Sequence, residues 1–143
     1  MNAPGRFVPR SKSTFLLAIT GYEEKRLSGV LHAPLKKKNY VFDNLVQLLL
    51  LLESLMDAAS FPQQAVEPRA FQVSQSVFVP REVEHRPVGA LATFEINVMF
   101  RQNASWQGSV IWSEQMMESR FRSVLELVGL MDDALSAAGE KAE

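Results

Sequence analysis

The stretch TFEINVMFRQNASWQGSVIW, residues 93–112, decides the fold of this chain. Apolar residues or glycine recur at every second position through 94–100 and again through 106–112, a period typical of β-strands with one buried face. Folding the two strands about the loop 101–105 places that whole set on one side of a hairpin. The predicted opposing pairs are Phe100 with Trp106, Val98 with Gly108, Ile96 with Val110 and Phe94 with Trp112.

The same pattern occurs 79 residues earlier, because Thr14 aligns with Thr93, Gly29 with Gly108 and Phe42 with Phe121 without a gap. An internal repeat of this length determines the whole architecture. The first hairpin turns at residues 22–26, and a one-residue slip would expose its apolar set to solvent. Its predicted pairs are Gly21 with Leu27, Ile19 with Gly29, Leu17 with Leu31 and Phe15 with Ala33.

Each hairpin is followed by a polar stretch and then by a predicted helix. Asn44 with Gln47, and Ser123 with Glu126, have the spacing of capping boxes. Apolar residues then follow at 45, 48, 49, 52, 55 and 56, and again at 124, 127, 128, 131, 134 and 135. This spacing is the stripe of a helix that lies on a core.

The first helix is apolar on its other sides as well, through Val46, Leu50 and Leu51. A helix that is apolar all round is buried all round, so these residues are candidates for contact with the second helix or with a second copy of the chain. Gly129 takes the place of Leu50 in the second helix and would let a neighbouring helix come close. Gly29 and Gly108 lie in mid-strand, where a covering helix is the expected cause.

These elements predict an α+β fold of tandem duplicated β-hairpin–helix (ββα) units, with a mostly antiparallel sheet of four to six strands and two helices on one face. We expect one compact domain. Its parts are an N-terminal arm (1–12), a first ββα repeat (13–59), a linker (60–91) with an extra strand near 71–79, a second ββα repeat (92–138) and a C-terminal tail (139–143). FVPR occurs at 7–10 and at 78–81, which suggests a short leading strand for each repeat.

Composition narrows the classes of function. The net charge of −1 gives no overall attraction for nucleic acid or an anionic membrane, and the absence of cysteine excludes disulfides, thiolate zinc sites and cysteine nucleophiles. The apolar run 45–56 is too short to span a bilayer, and residues 1–12 do not resemble a signal peptide. We therefore expect a cytoplasmic protein that does not enter a membrane.

No combination of residues predicts catalysis. His32 and His85 have no metal-ligand spacing, and no phosphate loop, nucleophile elbow or paired carboxylates occur. The sequence therefore predicts no catalytic residue, no cofactor and no metal, and it disfavours an enzyme.

Two features suggest a binding surface. The second hairpin tip carries Arg and Trp, which are frequent interface anchors, beside amide side chains. Basic residues also follow both hairpins, at 36–38 in the first repeat and at 120 and 122 in the second. The candidate binding residues are Arg101, Gln102, Asn103, Trp106, Gln107, Arg120 and Arg122. The alternative is that the tip only makes a turn and that Trp106 caps the core.

The segments FRQNASWQG (100–108) and FRSVLEL (121–127) resemble a group of small uncharacterised bacterial proteins of Firmicutes type, which share an FRQNASWQG…FRSxLEL pattern. The resemblance covers most of the chain and implies a bacterial, cytoplasmic protein. It implies no activity and no functional residue.

The sequence therefore predicts a non-enzymatic binding or adaptor module that associates with a protein partner or with itself, through the first helix or a sheet edge. One alternative is a nucleic-acid-binding accessory protein, which the net charge does not support. A second alternative is a small-ligand sensor or small enzyme that uses the tip from Arg101 to Trp106.

Overall fold

The structure is a computed structural model that describes residues 12–74 and 76–142. In this part of the chain one antiparallel sheet and two helices form an α+β fold. The strands are β1 (Thr14–Gly21), β2 (Ser28–Ala33), β3 (Lys38–Phe42), β4 (Arg81–Val83), β5 (Ala92–Phe100), β6 (Gln107–Trp112) and β7 (Met117–Phe121), and the helices are α1 (Leu45–Ala59) and α2 (Val124–Ala142). The strand order is β4-β3-β2-β1-β5-β6-β7.

The predicted hairpin register is confirmed along the body of both hairpins. Leu17 pairs with Leu31 and Ile19 with Gly29 in the first, and the pairs from Phe94–Trp112 to Val98–Gly108 form in the second. The pairs predicted at the two tips are wrong, because a bulge shifts the register there. Gly21 pairs with Ser28 and Phe100 with Gln107, and the bulge leaves Phe100 more than half exposed.

The mid-strand glycines are explained by backbone and not by a covering helix. A Cβ on Gly29 would lie 2.2 Å from the carbonyl oxygen of Ala18, and one on Gly108 would lie 1.9 Å from that of Asn97. Both contacts are with the neighbouring strand of the same hairpin, next to the bulge. The two strands therefore approach each other more closely than a side chain allows.

Each hairpin continues into a third strand that the sequence did not predict. β3 pairs with β2 and β7 with β6, so each half has three strands and a helix where two strands were expected. In β3 only Tyr40 and Phe42 are buried in the core, and in β7 only Phe121 is. So few inward apolar residues give no readable period.

The segment before the second hairpin differs from the prediction. Residues 71–74 and 76–79 are exposed except for Phe78, which packs against the core, and they lie outside any strand. The strand in this region is β4, which pairs with β3 at the sheet edge. Residues 139–142 continue α2 and do not form a separate tail. Of the predicted N-terminal arm and its FVPR segment, only Lys12 lies inside the described residues.

The capping boxes are confirmed with one difference. The backbone N–H of Gln47 donates to Asn44 Oδ1 at 2.9 Å, and that of Glu126 donates to Ser123 Oγ at 3.1 Å. The side chains of Gln47 and Glu126 accept from the residue before the cap, Asp43 or Arg122. Both helices therefore begin at equivalent positions, as expected.

The two halves meet where β1 pairs with β5. Leu16 pairs there with Glu95, its counterpart 79 residues on. One hydrophobic cluster contains the inward residues of both halves of the sheet together with the buried faces of α1 and α2. The helices therefore cover one face of a continuous sheet and share one core.

Candidate interaction surfaces

Arg101 of the second hairpin tip is buried, with 3% of its surface exposed. Its Nη1 donates to Glu53 Oε1 at 3.2 Å and to Asp57 Oδ1 at 2.8 Å, and its Nε donates to the carbonyl oxygen of Pro62 at 2.7 Å. Two carboxylates of α1 and one backbone carbonyl therefore hold the guanidinium. Its prediction as an exposed anchor does not agree with this placement.

Trp106 is buried beside the same carboxylate. Its Nε1 donates to Glu53 Oε1 at 2.9 Å, and Gln64 Nε2 donates to Glu53 Oε2 at 3.0 Å. Glu53 therefore accepts from Arg101, Trp106 and Gln64 at once. We call this group, together with Asp57, the Glu53 clasp, and it fastens the second hairpin tip to α1.

The remaining tip residues form the turn. Gln102 and Asn103 are exposed, and Asn103 and Ala104 have positive φ values of 54° and 57°. The side chain of Gln107 closes the turn by accepting from the Gln102 N–H at 3.0 Å and donating to the Gln102 carbonyl oxygen at 2.9 Å. Ser105 Oγ accepts from the N–H of Val124, the first residue of α2. The tip is thus largely engaged within the chain.

The first hairpin tip has a matching contact that the sequence did not predict. Tyr22 donates its hydroxyl to Asp132 Oδ1 at 2.5 Å, and Lys25 Nζ lies 2.7 Å from the same oxygen. Tyr22 and Asp132 are the 79-residue counterparts of Arg101 and Glu53. Each hairpin tip therefore contacts the helix of the other half. The repeat offset relates the two contacts to each other, but neither pair could be predicted from the sequence before one of them was seen in the structure.

The Tyr22–Asp132 contact changes both titrations. Burial raises the pKa of Tyr22 to about 12, and the hydrogen bond and negative charge of Asp132 contribute to the same shift. Lys25 and Tyr22 donate to Asp132 and hold the pKa of that carboxyl below its usual value. The pair is therefore favoured as a neutral phenol with a charged carboxylate.

Arg120 lies in β7 and Arg122 follows its last residue. Arg122 donates from Nε to Glu126 Oε1 at 3.1 Å, and these bonds lower the pKa of Glu126 to about 2. Its carbonyl oxygen accepts from Gln107 Nε2 at 3.4 Å. The structure thus brings Gln102, Gln107 and Arg122 together, whereas Arg101 and Trp106 point to the clasp.

The basic residues do not form one surface. Lys36 and Lys37 lie in the β2–β3 turn and Lys38 begins β3, whereas Arg120 is in β7. Five strand spacings of about 4.8 Å separate β3 from β7, which is roughly 24 Å. The prediction that these basic residues follow the hairpins as one binding surface does not agree with this placement, because Lys38 and Arg120 lie in strands that continue the two hairpins.

The exposed apolar residues of the helix layer form a clearer surface. On α1, Val46 is 65% and Leu50 46% exposed, and on α2 Leu125, the counterpart of Val46, is 80% exposed. Leu51 is buried in the chain's own core, so it does not belong to this surface. We call Val46 and Leu50, which lie one turn apart on α1, the helix-layer patch; Leu125 is the equivalent exposed position on α2.

The two histidines of the chain do not belong to a group of metal ligands within the described residues. His32 Nδ1 lies 2.9 Å from Asn39 Oδ1, and His85 is exposed beside Glu84. Within residues 12–74 and 76–142, no three His, Asp or Glu side chains are grouped as metal ligands would be. Nor does any helix of this part have the length and apolar content to cross a bilayer.

Comparison with other proteins adds no relative: no family model, no curated protein and no solved structure matches the chain. Its function is therefore argued from the surfaces above.

Proposed function

We propose that the chain is a non-enzymatic protein-binding module that associates with a second copy of itself through the helix-layer patch. The observation that carries this proposal is the exposure of Val46 and Leu50 on a helix whose opposite face is fully buried. Single exposed apolar residues are ordinary on protein surfaces, but neighbours one helical turn apart form a stripe.

A second copy fits the patch better than a charged partner. The acidic residues next to Leu50 on α1, Glu53 and Asp57, are already paired with Arg101 of the same chain. The positive charge of Arg101 offsets part of their negative charge, so the repulsion between two copies at this contact is reduced. In a twofold contact the same apolar residues lie on both sides, so the patch covers itself.

We also propose that residues 13–59 and 92–138 are duplicated units related by an approximate twofold axis. β2 and β3 begin and end at positions equivalent to those of β6 and β7, and both helices begin at equivalent positions. Leu16 also pairs with its own counterpart Glu95. The equivalent capping boxes and glycine contacts support the same relation.

The self-association is tested by placing a charge in the patch. We expect L50E to weaken association by at least about tenfold in Kd, because it buries an unpaired carboxylate at an apolar contact. Multi-angle light scattering over tens of micromolar measures the mass of the assembly. V88E is the matched control, since Val88 is a fully exposed apolar residue in a loop. A strictly monomeric wild type, or equal behaviour of L50E and V88E, contradicts the proposal.

A further inference from the structure

We propose that β7 pairs antiparallel with β7 of a second copy, so that the two sheets join edge to edge. This deepens the proposed self-association by assigning a sheet edge as a contact surface of its own. It involves none of the residues of the helix-layer patch. The inference begins from a difference between the two edges of the sheet.

The counterpart of β7 in the first half is covered and β7 is not. β4 lies along β3, where Arg81 pairs with Val41 and Glu82 with Tyr40. Lys38 and Glu82 add an ion pair at 3.3 Å across these strands. Among residues 12–74 and 76–142, no strand lies beyond β7. Its outer N–H and C=O groups are therefore oriented for pairing with another strand.

The sequence of β7, MESRF, is complementary to itself in one antiparallel register. With Ser119 opposite Ser119 of the second copy, each Glu118 faces Arg120 of the other copy, and each Met117 faces Phe121. Opposite charges at directly opposed positions stabilise a strand pair, and like charges destabilise it. Centring the pair on Glu118 or on Arg120 would oppose two like charges, so the Ser119 register is favoured.

The surroundings of β7 leave room for a second copy. Both helices lie on one face, so a twofold axis through the strand pair keeps all four helices of the dimer on the same side. Gly129 of α2 lies next to β7, at the position equivalent to Leu50 of α1. The space around Gly129 is open. Ser119, Gly129 and Leu130 line an open groove there. Met117, which is 61% exposed, lies at this edge and would be covered by the contact.

Charge exchange between two variants tests the register. E118R makes both positions basic and R120E makes both acidic. Each variant alone is expected to lose association by at least about tenfold in Kd, because like charges then oppose each other twice. Their equimolar mixture is expected to form a 1:1 heterodimer with an affinity close to that of the wild type. Light scattering and sedimentation measure both results, and circular dichroism shows that each variant is folded.

Cross-linking gives a second, independent measurement. The chain has no cysteine, so S119C introduces the only thiol, and the register places two copies of it opposite each other. We expect S119C to form a covalent dimer under mild oxidation, whereas S113C, in an exposed turn at the far end of the preceding strand, remains monomeric. Wild-type association by both single charge variants, a mixture that does not restore it, or no cross-linking of S119C above that of S113C would overturn the β7 pairing.

The two surfaces fail separately in these experiments. If L50E disrupts association while the charge variants do not, the helix-layer patch stands and the β7 pairing is wrong. If the charge variants dissociate the assembly and L50E does not, the β7 pairing stands alone. A wild type that remains monomeric, together with an S119C variant that does not cross-link, excludes both surfaces.

Discussion

Three glycines of this chain occupy two different kinds of environment. Gly29 and Gly108 lie where a neighbouring strand's carbonyl oxygen occupies the space of a Cβ. Gly129 lies in α2 with open space around it. The first two are required by close backbone approach, whereas the third only lowers the stability of its helix.

Alanine at these positions should therefore have effects of opposite sign. G108A and G29A are each expected to lower the free energy of unfolding by about 3 kcal/mol, because the backbone must move to admit the methyl group. G129A is expected to raise it by up to about 1 kcal/mol through helix propensity. Urea denaturation of the three variants measures these changes. A G108A variant as stable as the wild type would contradict the explanation that Gly108 is required by the close approach of the neighbouring strand.

At the scale of elements, the hairpin tips are held by helices distant in sequence. Arg101 and Trp106 contact Glu53 and Asp57 of α1, and Tyr22 contacts Asp132 of α2. The Glu53 clasp holds a buried guanidinium against the partly buried Glu53 and the exposed Asp57, so breaking it is costly mainly for Arg101 and Glu53. Arg101 and Trp106, which are residue types frequent at interfaces, thus make contacts within the chain.

Removing the guanidinium tests the clasp. R101M is expected to lower the free energy of unfolding by about 2 kcal/mol, because the partly buried Glu53 keeps its charge without its cation and the carbonyl oxygen of Pro62 loses a donor. R101K should lower the free energy of unfolding by less, since lysine keeps the positive charge although it lacks the forked donors of the guanidinium. R122M is the control: Arg122 lies just before α2 with its side chain 86% exposed, so we expect the loss of its ion pair with Glu126 to change stability little. Denaturation of R101M at wild-type stability would show that the clasp contributes nothing.

The sequence pattern predicted the two hairpins and the two helices but not the other strands. Alternation with bulky apolar residues predicted both hairpins, and polar caps with helical stripes predicted both helices. β3, β4 and β7 were not predicted, because short strands with few inward apolar residues give no period. The destination of Arg101 was missed for another reason. Periodicity tells which face of an element is buried, but not which distant carboxylate lies there.

At the scale of the whole molecule, the Glu53 clasp and the Tyr22–Asp132 contact each join a hairpin tip of one half to the helix of the other. The tip of the first half reaches α2, the tip of the second reaches α1, and β1 pairs with β5 between them. Neither half contains a complete set of partners for its own hairpin tip. Stability and titration are therefore properties of the two halves together.

The two tyrosines of the chain report this arrangement. Burial is the largest cause that raises the pKa of both Tyr22, to about 12, and Tyr40. An unfolded tyrosine loses its proton near 10.0, so the stability due to Tyr22 is complete below that pH and is lost as pH rises toward about 12. Tyrosinate absorbance of Y40F, which isolates Tyr22, should show this shift. D132N should lower the midpoint, and a midpoint at the ordinary value in folded Y40F would contradict it.

The contacts between each hairpin tip and the helix of the other half also set an order for biosynthesis. Residues 45–59 of α1 leave the ribosome well before Arg101 and Trp106 have been made. In the same way, β1 cannot pair with β5 until the second half has been synthesised. Contacts between residues so far apart in sequence form slowly, because a long loop must close first. Glu53 and the apolar face of α1 therefore remain without their partners until the second hairpin emerges, so the nascent first half spends that interval as an aggregation-prone intermediate.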